Sequence, residues 1–285
     1  MIRDRPASWK FLSALVPGRS ELALRVWSAL VLVPLAVAMA YVGGALFALF
    51  WGASAIVTFW EWTSLVAASH RRGAMAIGAA SLALALAADR HVSAAVTALA
   101  LGTGAAAALV PSERRIWLAA GIPYSGAIAM APIVLRRDPG YGFLAIIFLF
   151  AIVWATDTAA YFIGRAIGGP KLMPQVSPQK TWSGALAGTA AAILAGVIVA
   201  CAGGLAGLFA IALLGALLSM LAQAGDLFES FLKRKFGAKD SGRLIPGHGG
   251  LMDRLDGFAA AGMIAALIGI ARGGLETPGR GLLVW

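Results

Sequence analysis

The chain has 285 residues, 60% of them hydrophobic and 13% charged, with a mean hydropathy of +0.83. This excludes an ordinary soluble domain and indicates an integral membrane protein, and the long unalternating apolar runs exclude barrel strands. Lys and Arg number 23 against 13 Asp and Glu, a net charge of +10 that an anionic leaflet accounts for without nucleic acid.

Residues 1–23 open with MIRDRPASWKFLSALVPGR and carry no cleavage pattern after a compact apolar core. They are expected to form an uncleaved, basic cytoplasmic arm, with Trp9, Phe11 and Leu12 laid on the membrane surface. A span needs about 20 apolar residues. Nine are expected: Leu24 to Val42, Ala45 to Val66, Ala74 to Ala88, Val92 to Val110, Trp117 to Leu135, Phe143 to Ile163, Gly184 to Cys201, Leu205 to Gln223 and Phe258 to Ile270. The third and ninth are short. The expected fold class is all-α, a polytopic helical bundle in one membrane domain over residues 1–285, with no repeat or linker dividing it. Cys201 is the single cysteine, which leaves neither a disulfide nor a Cys-based metal site.

Charge asymmetry orients the spans. With the N-terminus inside, the cytoplasmic segments are 1–23, 67–73, 111–116, 164–183 and 224–257. Only Arg90, Arg136, Arg137, Arg272 and Arg280 fall outside these segments and the adjoining helix ends, a positive-inside bias.

Basic bias explains the run KRK, Lys233 to Lys235, but not the acids around it. Asp226 and Glu229 lie three residues apart at the end of the eighth span, as do Asp253 and Asp256 at the start of the ninth, so each pair shares a helix face. Asp157, inside WATDTAAYF, is an acid in an apolar run, where ion pairing to Arg or Lys between helices is the bland explanation. Together the acids suit a hard divalent cation, and Lys180, Lys233, Lys239, Arg243 and Arg254 suit phosphates. Phosphoryl or nucleotidyl transfer is the chemistry this combination serves. The glycines of PGHGG, Pro246 to Gly250, allow the backbone close to an anion before the ninth helix, whose N-terminus also favours negative charge. His248 serves equally as a turn residue.

The run SFLKRKFGAKDSGRLIPGHGGLMDRLD, Ser230 to Asp256, resembles the signature of the phosphatidate cytidylyltransferase (CDP-diacylglycerol synthase) family. DTAAYFIGRAIGGPKLMPQVSPQKTWSG, Asp157 to Gly184, and GDLFES, Gly225 to Ser230, resemble it too, whereas before Asp157 the likeness is little more than hydropathic. Ser183 stands where the family usually has Glu, and Gly257 where Ser commonly follows the last Asp.

The resemblance implies an enzyme joining CTP to phosphatidic acid with Mg²⁺, giving CDP-diacylglycerol and pyrophosphate and committing phosphatidate to phospholipid synthesis. It implies Asp226, Lys233, Asp253 and Asp256 as catalytic residues, with Asp226, Asp253 and Asp256 at the metal. Ser177, Lys180, Lys239, Arg243, His248 and Arg254 are implied as phosphate and nucleotide contacts, and Asp157, Glu229 and Asp240 as supporting residues. The setting implied is a bacterial inner membrane, with the active site on the cytoplasmic side. The sequence leaves open a second, monovalent cation and a homodimer. A CTP-dependent lipid-alcohol kinase would release CDP instead of pyrophosphate, and a transporter would spread its charge across both sides of the bilayer.

Overall fold

The computed structural model describes residues 21–67, 70–88, 91–242, 244–245 and 249–285. Most of the N-terminal arm, with Trp9, Phe11 and Leu12, lies outside the described residues, as do Arg243 and His248. Helices dominate the rest: α1 (Glu21–Val42), α2 (Gly44–Val66), α3 (Arg71–Ala87), α4 (Val92–Ala108), α5 (Ser112–Arg136), α6 (Gly142–Ile167), α7 (Trp182–Ala202), α8 (Leu208–Lys235), α9 (Met252–Gly273) and the short α10 (Pro278–Leu283). Among the described residues six are long and apolar enough to cross a membrane, namely α2 and α5 to α9. α4 and the Leu30–Val42 part of α1 are shorter apolar helices. One departure from an all-helical chain stands between α6 and α7, where β1 (Lys171–Met173) and β2 (Ser177–Thr181) pair antiparallel in a stretch expected to be loop.

Small residues set the closest helix contacts. α7 buries only Gly184, Gly188, Ala192, Gly196 and Ala200, a stripe of one residue per turn. A Cβ added at Gly184 would lie 2.7 Å from Ala160 O of α6, and one at Gly188 would lie 2.8 Å from Thr156 O. In lipid, where apolar side chains gain nothing by leaving the solvent, such close backbone packing drives helix association. Leu186, Leu194 and Ile198 of α7 face outward.

The helix ends fall into two groups. At one end, Arg136 Nε donates to Ala40 O at 2.6 Å and closes the C-terminus of α1, beside the reversal at Gly43, whose φ of 67° favours glycine. Also there, buried Asp138 accepts from Gly140 N at 2.9 Å, Tyr141 N at 2.8 Å and Arg280 N at 2.7 Å, joining the α5–α6 turn to α10. At the other end, Arg114 donates to Val66 O at 3.0 Å and Trp62 Nε1 to Trp117 O at 2.8 Å, tying α2 to α5. Between the ends, Trp51 of α2 stacks on Phe258 of α9 with centroids 4.7 Å apart. The sequence-implied residues within the described part belong to the second end, on the hairpin, the C-terminal parts of α6 and α8, the segment after α8, and the start of α9.

Candidate active site

Two glycines bring the acids together. A Cβ at Gly225 of α8 would lie 2.5 Å from Asp256 O, and one at Gly257 of α9 would lie 3.0 Å from Ala222 O, so α8 and α9 cross there with backbones nearly touching. Asp226 and Glu229 share a face of α8, and the crossing sets Asp256 against it. Oxygens of Asp226, Glu229 and Asp256 lie within 4.8 Å of one another. Three full charges at that separation repel by about 3 kcal/mol or more per pair at an effective dielectric of about 20. Glu229 and Asp256 are buried.

Among the described residues, three contacts answer part of that charge. Lys233 Nζ lies 2.6 Å from Glu229 Oε2 in an ion pair, while Glu229 Oε1 is buried without a hydrogen-bond partner among the described residues. Asp256 Oδ1 accepts from Gly257 N at 2.7 Å, and Asp226 pairs with Lys180. An all-oxygen donor set in which the buried Glu229 Oε1 lacks a partner among the described residues fits a hard divalent cation such as Mg²⁺.

Asp253, implied as a metal ligand by the resemblance, is not in this group. Its Oδ1 accepts from Lys233 Nζ at 2.7 Å, and its Oδ2 from Gly250 N at 2.8 Å and Ser241 N at 3.2 Å. Glu229, expected in a supporting place, is the third member of the group.

The hairpin reaches the same point. Lys180 on β2 is held against Asp226 of α8, which joins the two sequence blocks across α7. Thr181 caps α7 by accepting from Gly184 N at 3.1 Å, so the strand carrying Lys180 runs directly into a fixed helix start. Ser183 donates to Gly168 O at 2.5 Å and stays close to the Thr181 hydroxyl at 3.0 Å, so it ties the first turn of α7 to the end of α6 beside the hairpin. Asp157 interacts electrostatically with Asp226, Lys180 and Arg254. Ser177 begins β2 opposite Met173, while Lys239 and Asp240 are exposed beyond the end of α8.

Some of what surrounds the site had no sequence expectation. Thr156 Oγ1 lies 2.8 Å from Ser219 Oγ, and Gln223 Nε2 donates toward Thr189 Oγ1 at 3.1 Å and Ala185 O at 3.3 Å. These contacts register α6, α7 and α8 beside Asp157 and Asp226. Glu61, on α2, is fully buried yet accepts from Leu251 N at 2.9 Å and Met252 N at 2.7 Å. An anion, expected at the start of α9, is supplied there by the chain's own Glu61 carboxylate. A lone acid within an apolar span was the available signal.

Comparison with known proteins identifies the family. The cytidylyltransferase family profile matches residues 23–270. A phosphatidate cytidylyltransferase of Brucella suis biovar 1 is 46% identical over 255 residues, covering 88% of this chain and 94% of its own. Proteins of that name from Staphylococcus epidermidis and Haemophilus influenzae are 47% and 41% identical over 118 and 133 residues, covering 41% and 44% of this chain and 45% of their own lengths in each case. The Brucella match extends well before Asp157, where the sequence alone offered little more than hydropathy. The chain belongs to the cytidylyltransferase family.

Proposed function

We propose that this chain is a phosphatidate cytidylyltransferase, converting CTP and phosphatidate into CDP-diacylglycerol and pyrophosphate. The observation that carries this reading is the contact of Lys180 with Asp226 beside Glu229 and Asp256, which sets a phosphate-binding base against metal-fitting acids at one end of an apolar bundle. Membership of the family and the names of the relatives support the reaction class.

In the reaction a phosphate oxygen of phosphatidate attacks the α-phosphorus of CTP. The bond from that phosphorus to the oxygen bridging toward the β-phosphate breaks, and pyrophosphate leaves. The nucleophile is already anionic near neutral pH, so the protein needs no strong base; it needs to align two polyanions and offset their charge. Asp226, Glu229 and Asp256 would hold Mg²⁺, whose chemistry is to neutralise phosphate charge as it shifts to the leaving group. Lys180 and Arg254, with Ser177, Lys239, Arg243 and His248, are assigned to the phosphates and the nucleotide. Asp253 keeps Lys233 beside Glu229 and orders Ser241 and Gly250 at the start of α9. Asp157 and Asp240 support the rim.

The setting proposed is one nine-span domain in a bacterial inner membrane, with the N-terminus and the site on the cytoplasmic side, so that CTP arrives from water and phosphatidate from the leaflet. The Lys and Arg asymmetry supports that orientation. Purified protein in phosphatidate-containing micelles, given CTP and Mg²⁺, should release pyrophosphate and CDP-diacylglycerol in equal amounts. CDP in place of pyrophosphate would mark a kinase, and no product across varied lipid conditions would overturn the assignment.

A further inference from the structure

Glu61 sits near the end of α2 between Trp60 and Trp62, fully buried, in a helix otherwise free of charge. An acid at the centre of a span costs roughly 2.5 to 3.5 kcal/mol, less toward an end, so its oxygens need donors. They have three. Oε1 accepts from Leu251 N at 2.9 Å, and Oε2 accepts from Met252 N at 2.7 Å and from Ser241 Oγ at 3.3 Å. All three partners donate, as suits an acceptor-only carboxylate. Leu251 and Met252 begin α9, where amides have no partner inside the helix and a negative charge is favoured.

The surroundings are shaped to this carboxylate. A Cβ at Gly242 would lie 2.5 Å from Oε1, and one at Gly250 would lie 2.7 Å from Oε1 and 2.8 Å from Oε2. Asp253 grips the same stretch of chain from the other side, through Ser241 N and Gly250 N. Ser241 and the segment Gly250 to Met252 are thus pinned between a carboxylate of α2 and one of α9. The next turn of α9 carries Asp256 into the group with Asp226 and Glu229.

We infer that Glu61 is a positioning residue for the carboxylate site: by holding Ser241 and the first turn of α9 to α2, it fixes where Asp253 and Asp256 stand against α8. It acts through α9 and touches no substrate. The catalytic part of this inference rests on the proposed cytidylyl transfer; the structural part does not.

The test uses Glu61→Gln in the full-length purified protein. The amide side chain keeps the shape but turns one oxygen into a donor facing a backbone N–H, so the first turn of α9 should loosen. In hydrogen–deuterium exchange, peptides covering residues 250–256 should exchange at least about tenfold faster than in the parent, while peptides within α6 and α7 change by less than about twofold. The Mg²⁺ concentration for half-maximal activity should rise at least about fivefold with KM for phosphatidate within about twofold, and Glu61→Asp, which keeps the charge, should recover part of that rise. Uniformly faster exchange would mean a general loss of stability, and unchanged exchange at 250–256 would mean no clamp; either overturns the inference. If Glu61→Gln cannot be recovered folded, Ser241→Ala removes one of the three donors and should move both readouts in the same direction by about twofold or more, and no movement overturns the inference. A parent protein without cytidylyl transfer would remove the functional reading while the exchange data still decided whether the clamp exists.

Discussion

Lys180 and Asp226 form an ion pair between the hairpin and α8, although all of α7 and most of α8 separate them in sequence. The pair is partly exposed, so its contribution to stability is small. Its consequence is positional: it places a cation beside the carboxylate trio. In Lys180→Ala the KM for CTP or phosphatidate should rise about tenfold or more, with the Mg²⁺ requirement unchanged. Steady-state kinetics at several Mg²⁺ concentrations checks this. Parental kinetics would mean that Lys180 is only a surface partner of Asp226.

The trio should behave as a cation site. Asp226→Asn and Asp256→Asn are each expected to lower kcat about a hundredfold, equivalent to about 3 kcal/mol of transition-state stabilisation, with partial recovery at raised Mg²⁺ or with Mn²⁺. Chelation should abolish turnover of the parent, and added Mg²⁺ should restore it. At a pH high enough to ionise all three acids, removing one negative charge also relieves repulsion, so metal-free Asp256→Asn should there melt at a higher temperature than the metal-free parent. A lower midpoint would mean that the carboxylates are balanced within the chain.

The α8–α9 crossing should be sensitive to a single methyl group. Gly225→Ala introduces a Cβ 2.5 Å from Asp256 O, a contact that forces the two helices apart at the site, whereas the Cβ of Gly215→Ala, on the same helix, would lie 3.4 Å from its nearest neighbour, Ala192 O. Overpacking of the first kind costs about 1–3 kcal/mol. The measurement is kcat for both variants in folded, monodisperse preparations. Gly225→Ala should lose most of its turnover and Gly215→Ala little; equal losses would detach the crossing from catalysis.

Much of this architecture is legible in the hydropathy. The second span, expected from Ala45 to Val66, is observed as Gly44–Val66. The site is harder to read because its acids stand where helices outlast their apolar runs. The eighth span was expected to stop at Gln223, yet α8 continues through Asp226, Glu229 and Lys233 to Lys235; the ninth was expected from Phe258, yet α9 begins at Met252 and takes in Asp253 and Asp256. Hydropathy marks what lipid requires and says nothing of a helix that continues past it. The hairpin was hidden because strands of three and five residues, one containing Pro178, carry too little pattern. Glu61 was hidden because its donors lie 190 and 191 residues away at the start of α9.

Orientation has its own test. In a Cys201→Ala background, cysteines placed at Gly168 and Ala238, on the side of the bundle that carries the hairpin and the end of α8, should resist an impermeant thiol reagent added to intact cells and react after permeabilisation. Labelling of both from outside would place the site away from cytosolic CTP.

The central claim is that the carboxylate trio and Lys180 serve transfer of the α-phosphorus of CTP to phosphatidate. Its most direct measurement follows label from CTP into lipid, using purified protein, phosphatidate and Mg²⁺, with ³²P at either the α or the γ position. The account expects α label in the lipid, γ label in pyrophosphate, and lipid labelling reduced about a hundredfold in Asp256→Asn. Lipid labelled from the γ position, or α labelling undiminished by Asp256→Asn, would contradict it.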